Sequence, residues 1–327
     1  MTIYDISVIL RNPRSRHLSL AGRKNNIFAT FAEAIWVFAG DNRINPYLTF
    51  FLPRAPKYSD DGVIWRAAYG ERLYAHGQLE NVVQQFKKEG IFTRRAVISL
   101  YMPDRDTNES LIKVYNLEHS ADIPCNNLIH FFITPDKKLN IKIAQRSGDL
   151  IFGLSYINIF EFSLLQEIVL SILQRDVDSN IKLGYLHLSV TNLHIYEDKI
   201  EQAEEIYKRK EEQVTNLKNN DAILFPPSLQ NIKSLFCDIV SFLEGIITKN
   251  THEIDTINKE TEKLKKIFIK HFVKTERNLL WGYAEAALSY IFQKRFNQPI
   301  VLTAKLSNDF NLSVTSNHFN NSNKERL

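Results

Sequence analysis

The sequence predicts an α/β (α+β) body followed by an all-helical region. Three observations carry this prediction. "LGYLHLSVTNLHIY" alternates strongly, the period of a strand with one buried face, and "RRAVISLYM", "LIHFFI" and "LNIKIAQRS" are shorter strand-like runs. "NNIFATFAEAIWVFAGDN" and "FEFSLLQEIVLSILQ" are apolar runs of helical length. After about residue 200 the apolar residues recur at helical spacing among many charges.

Residues 1–24 read as polar, with Arg11, Arg14, Arg16 and Arg23 clustered in them. Asn25 or Asn26 caps the first buried helix, and Gly40 stands at its stop. Glu33 lies inside this helix. A buried acid is costly without a partner, and a surface-facing Glu on an amphipathic helix is the plainer alternative. Residues 45–76 are loop-rich, with Pro46, Pro53, Pro56 and the turn "SDDG". "QLENVVQQFKKEG" predicts an amphipathic helix over 78–90. A strand over 94–102 and a hairpin around "TPDKK" follow, then the buried helix and the long strand. Charged or amphipathic helices are expected over 197–220, 226–246, 254–272 and 278–296. The predicted organisation is a body over 1–205, a helical extension over 206–298 and a disordered Asn/Ser-rich tail over 299–327.

The chain has 327 residues, 44% hydrophobic and 24% charged, enough for a sizeable core. A net charge of +4, with basic and acidic residues mixed, argues against nucleic-acid binding. Two cysteines make no disulfide framework and fit a reducing cytosol. The first residues lack the apolar run of a signal peptide, and no stretch reaches the ~18 uncharged apolar residues of a membrane span. The expectation is a soluble, cytoplasmic protein with no metal, membrane or nucleic-acid partner.

Four short stretches hold candidate chemistry, each with a bland alternative. In "QRSGDLIFG", Arg146 and Ser147 suit a phosphate, or form a solvated turn. Arg94 and Arg95 enter a strand with side chains on opposite faces, or are a solvated pair. His194 and Tyr196 share a strand face and suit a sugar hydroxyl, or are buried and satisfied. Cys125, in "DIPCNNLIHFFI", is a nucleophile or a small packed hydrophobe.

Taken in order, "TRRAVISLYMP", "PCNNLIHFFI", "QRSGDLIFG" leading into "NIFEFSLLQE", and "LHIYEDKIEQ" resemble the thymidylate synthase superfamily over roughly residues 12–202. "AEAIWVFAGDN" and "AYGERL" resemble its Glu-bearing helix and Tyr-Gly segment. The resemblance implies a three-layer fold whose twisted mixed sheet packs against a dimer mate. It implies that Cys125 adds to C6 of a pyrimidine nucleotide and activates C5, splitting one hard step into two easier ones. Gln145, Arg146 and Ser147 would bind substrate, the last two at its 5′-phosphate. Arg94 and Arg95 would reach the phosphate of the other subunit of a homodimer and, with Arg146, lower the Cys125 pKa. Asn158 would read the base, His194 and Tyr196 the ribose 3′-hydroxyl. Glu33 and Asn126 would organise water and proton transfer, and Asp149 and Gly153 would touch the co-substrate, 5,10-methylenetetrahydrofolate.

The sequence departs from the family pattern in places. Asn126 replaces the usual His after the cysteine, and Arg72-Leu73 replace Gln-Trp, which removes an aromatic wall. "GLSYIN" carries one residue more before Asn158 than the usual pattern. Arg14, Arg16 and Arg23 are the only candidates for an N-terminal phosphate loop, and helices stand where a closing C-terminal peptide is usual. These departures lean toward the hydroxymethylase branch, but Asn158 and the intact Cys125, Arg146, His194 and Tyr196 set make the first functional reading a thymidylate synthase making dTMP from dUMP. The alternative is a folate-dependent hydroxymethyltransferase acting on dUMP, dCMP or CMP, in which water quenches the methylene intermediate. A non-catalytic dimeric scaffold is the third.

Overall fold

A computed structural model describes residues 1–18, 20–23, 26–212, 220–272, 278–300, 302–303 and 306. Its centre is a six-stranded mixed sheet. The strands are β1 (Thr2–Leu10), β2 (Val97–Ser99), β3 (Asn126–Ile133), β4 (Lys138–Gln145), β5 (Gly148–Asp149) and β6 (Lys182–His194), in the order β1-β6-β4-β3-β2, with β5 against β6. β4 and β6 run parallel, and so do β5 and β6; the other pairs are antiparallel. Ile129, Phe131, Ile141, Ile143, Leu186 and Leu188 point to one face and are fully buried. The alternation reads cleanly because only that face is covered.

The first buried helix is α1 (Ile27–Ala39). Asn26 Oδ1 accepts from the Phe28 amide at 3.1 Å, and Gly40 closes the helix at φ 73°. α2 (Tyr47–Phe51) and α3 (Tyr69–Tyr74) interrupt the loop-rich stretch, and α4 (Gln78–Glu89) matches the amphipathic helix of the sequence. Short α5 (Pro103–Asp106) and α6 (Asn108–Tyr115) precede β3. A π-helical segment, Leu150–Asn158, runs into α7 (Ile159–Asp176). By length and composition the continuous helix 150–176 would cross a membrane, yet 94% of its apolar window is buried inside the fold. Of the charged helix read over 197–220, the α-helical part is α8 (Ile200–Lys208); it ends at Arg209, with 3-10 turns over Glu197–Lys199 and Lys210–Glu212, and residues 213–219 lie outside the described residues. α9 (Leu229–Thr248), α10 (Ile257–His271) and α11 (Leu279–Phe296) follow. The tail reading for 299–327 falls almost entirely outside the described residues.

α4 and α7 lie on the sheet, α1 packs on α7, and α9 and α11 cover α1. Phe31 stacks on Tyr283 at 5.6 Å, Phe28 on Tyr290 at 4.8 Å, and Phe38 meets Phe236 at 5.5 Å. So α1 is the surface that buries the apolar faces of α9 and α11. Cys237 is packing: half-buried in α9, its thiol donates to the Ala39 carbonyl at 3.3 Å.

Two strands differ from the sequence reading. β1 stands where residues 1–24 read as polar; it is an edge strand whose Ile6, Val8 and Leu10 are only partly buried, so its period is weak. β2 is three residues long, because Arg94 and Arg95 stay exposed outside the ladder.

α3 approaches α1 through Gly70. A Cβ there would lie 2.2 Å from the Val37 carbonyl oxygen, which is backbone and cannot swing away. Gly70→Ala is therefore expected to cost about 3 kcal/mol or more, as a core overpacked against main chain. Denaturant unfolding checks this; a loss below about 1 kcal/mol would mean that the two helices separate easily.

Candidate active site

The ends of four strands build the site. β3 begins at Asn126 opposite Gln145, the last residue of β4. β5 pairs with the end of β6, Gly148 with Leu193 and Asp149 with His194. Cys125, Gln145, Ser147, Asp149 and His194 are thus brought to one end of the sheet by register alone. The Asp149 carboxylate caps the π-helical segment, accepting from the Ile151 and Phe152 amides at 3.0 and 3.2 Å. That segment carries Gly153 and Asn158 over the sheet end, and α1 closes the space with Glu33. Glu33, Cys125, Gln145, Ser147, Asp149, Gly153, Asn158 and His194, with Tyr196, line one cavity of about 200 Å³.

Arg146 clamps the cysteine loop. Its guanidinium donates to the carbonyls of Pro124 at 3.0 Å and Ile123 at 2.9 Å, and its amide donates to the Cys125 carbonyl at 2.9 Å. Burial pushes the Cys125 thiol above its ordinary value, and Arg146 opposes this. The sequence reading had the arginines lowering that pKa. Arg146 acts in that sense, but desolvation is the larger effect in this chain. Arg94 and Arg95 do not line the cavity; both are exposed, and Arg95 pairs with Glu89 at 2.6 Å.

Ser147 Oγ lies 3.5 Å from His194 Nδ1, and Tyr196 meets the His194 ring edge-on at 4.7 Å. Gln145 Nε2 donates to Asn158 Oδ1 at 3.1 Å, which leaves the Asn158 amide hydrogens for a ligand. Gln145 Oε1 is buried with no hydrogen-bond partner among the described residues. The extra residue before Asn158 is absorbed by the wider π turn, so Asn158 still faces the cavity. Asn126 does not line it; its amide donates to the Tyr69 hydroxyl at 2.7 Å, and Tyr69 does line it.

The N-terminal arginines stay away from the cavity. Arg14 and Arg16 both pair with buried Glu167, and Arg23 donates to the carbonyls of Ile151 and Ser155. Arg72 and Leu73 point into the core, where Arg72 forks onto Asp106 at 2.6 and 2.8 Å. The aromatic wall expected to be lost comes from elsewhere. Trp36 and Trp65 lie 6.0 Å apart, Tyr58 stacks on Trp65 at 5.8 Å, and all three line the cavity.

Asp122 was not singled out in the sequence. It accepts from the Arg66 and Ala67 amides at 2.7 and 2.8 Å and so pins the Trp65 segment to the cysteine loop. Burial raises its carboxyl to about 6. Glu33 is buried, as one of the two readings had it, and burial lifts its carboxyl to about 8, with Arg54 opposing.

A cysteine, an amide pair and a carboxyl around one apolar-walled cavity suit covalent addition to a planar heterocycle. The thymidylate synthase family profile matches residues 55–234, more than half of the chain; this reaches into α9 and leaves the Glu33 helix outside. The chain is 41% identical over 298 residues to the deoxyuridylate hydroxymethyltransferase of Delftia phage PhiW-14, covering 89% of this chain and 78% of that protein. It is 31% identical over 196 residues to the deoxyuridylate hydroxymethyltransferase of Pseudomonas phage M6, of whose length it spans about half, 51%. Thermostable thymidylate synthase A from Bacillus subtilis shares the fold with a TM-score of 0.50 at 18% identity, over 72% of this chain and 77% of that one. The family match and the Delftia phage relative establish that the chain belongs to the thymidylate synthase family.

Proposed function

We propose that the chain is a folate-dependent deoxyuridylate hydroxymethyltransferase acting through a Cys125 adduct. The observation that carries the choice of product is the likeness to the Delftia phage protein of that name, which extends over 78% of its length. Cys125 beside the Asn158–Gln145 amides supports covalent chemistry at a uracil ring.

The Cys125 thiolate adds to C6, and the electron pair of the C5–C6 bond moves to C5. The Asn158 amide donates to O4, where negative charge collects, and its carbonyl, shared with Gln145, accepts from N3–H. Ser147 and the unused N–H groups of Arg146 hold the phosphate, joined by Arg94 and Arg95 from a second copy of the chain. That dimer would form on the open sheet face, where Leu128 and Tyr185 are exposed. His194 and Tyr196 hold the 3′-hydroxyl.

The cavity fits a pterin. Trp36, Trp65 and Tyr58 offer flat apolar surface, and Asp149 keeps free lone pairs while it caps the helix. When bound, methylenetetrahydrofolate supplies a one-carbon unit. Once C5 carries that carbon as an exocyclic methylene and has lost its proton, Glu33 directs water onto it, and the returning electrons expel the Cys125 thiolate.

Incubation with [5-³H]dUMP, dCMP or CMP and methylenetetrahydrofolate tests this. Tritium release from dUMP with a product heavier by hydroxymethyl is expected. A methylated product with dihydrofolate would instead establish the second reading, a thymidylate synthase. The Trp36, Trp65 and Tyr58 wall favours that reading, since an apolar wall protects hydride transfer from water. No Cys125-dependent release from any nucleotide would overturn both.

A further inference from the structure

Glu161 has no place in the chemistry above. It sits one helical turn beyond Asn158 in α7, the helix that packs against α1. It is 2% exposed, and neither carboxyl oxygen has a hydrogen-bond partner among the described residues. Glu33, on α1, lines the cavity, and its Oε2 is likewise sealed and unpartnered. The two carboxyls lie within electrostatic reach of each other. Around them stand Arg54, which faces Glu33, the Tyr156 hydroxyl, also near Glu33, and the Tyr69 hydroxyl, near both Glu161 and Cys125.

An ionised acid in such a place is expensive, and two ionised acids side by side are more so. Burial raises both, and the charge of Glu33 raises Glu161 further, so Glu161 keeps its proton while Glu33 loses one. A neutral carboxyl can donate a hydrogen bond where a leucine cannot.

We propose that Glu161 is a positioning residue that acts through Glu33: protonated, it donates to the sealed oxygen of Glu33 when Glu33 ionises. This leaves the cavity-facing oxygen of Glu33 as the base for the water-addition step. In that step the water oxygen bonds to the exocyclic methylene carbon as its proton passes to Glu33. The methylene electrons move through C5 and C4 to O4, then return to re-form the C5–C6 double bond as the C6–S bond breaks. Cys125 leaves as thiolate. The water-addition part rests on the hydroxymethyltransferase reading; the pairing of Glu161 with Glu33 does not.

Glu161→Leu and Glu161→Gln in the full chain test it. In Glu161→Leu the loss of a donor to ionised Glu33 is expected to move the pH limb of kcat/KM up by about one unit or more and to lower product formation about tenfold at neutral pH. Denaturant midpoints should stay level or rise, because a buried polar group has been removed. Glu161→Gln, whose amide can donate, should recover the wild-type limb to within about half a unit. A Leu variant with the wild-type limb and rate would overturn the proposal. So would equal losses in both variants, or destabilisation of both, which would mark a purely structural residue. If the wild type yields methylated product, the hydroxymethyl reading fails while the Leu–Gln contrast still decides the pairing.

Discussion

Cys125→Ser is expected to abolish release of the C5 hydrogen while leaving nucleotide binding nearly intact. The loss should be at least roughly 10³-fold, since removal of a covalent nucleophile returns the reaction to a single hard step. Binding is spared because Asn158 is held by Gln145, and the cysteine loop is held through main-chain carbonyls by Arg146; none of these bonds uses the thiol. The wild-type rate should rise with pH, because burial holds the thiol above its ordinary value and only the thiolate attacks. In the serine variant that rise should vanish with the activity. Cys237→Ser is the internal control: that thiol donates to the Ala39 carbonyl and does not line the cavity, and its loss should change rates less than about threefold. Tritium release and equilibrium nucleotide binding, measured on both variants, check the pair. Retained release in Cys125→Ser would place the nucleophile elsewhere.

Much of this site was legible because the fold keeps sequence order and strand ends coincide with motifs. Pro124-Cys125 opens β3, Gln145-Arg146-Ser147 closes β4, and His194 closes β6. Once the strands are in place, register brings these residues together. Asn26 and Gly40 bounded α1 correctly for the same local reasons. What was not legible depends on burial across the chain. Arg72 and Leu73 read as a missing wall, but only packing shows that they serve the core and that Trp36, Trp65 and Tyr58 form the wall. Arg14 and Arg16 read as phosphate candidates until Glu167, about 150 residues away, claims them. Glu161 could have been noticed: it is an acid in an apolar helix, as Glu33 is, and the same rule applies to both. Arg94 and Arg95 remain outside the cavity of a single chain, which no reading of one chain can change.

Glu33→Gln is expected to lower turnover by roughly 10²- to 10⁴-fold, the range of a lost general base. The glutamine keeps the volume and cannot take a proton. Tritium release should fall less than product formation, because water addition is the step that needs the base. The pH profile separates this from misfolding. In the wild type, raising kcat/KM requires ionising both Glu33, near 8, and the Cys125 thiol, so the rate climbs more steeply than one proton allows. In Glu33→Gln only the thiol remains, and the climb should flatten to a single proton. Stability gives an independent sign. An unfolded glutamate loses its proton near ~4.3, whereas folded Glu33 holds it to about 8. Between those values the folded state binds the extra proton, so stability is greatest below the lower one and falls as pH rises towards the upper. The amide removes that slope, and Glu33→Gln should gain on the wild type progressively from pH ~5 to ~8 in denaturant unfolding. A variant that is slow yet more stable at alkaline pH would identify a buried acid retained for chemistry at a cost in stability. A variant that is equally slow and less stable at every pH would show instead that Glu33 is needed to hold α1 in place.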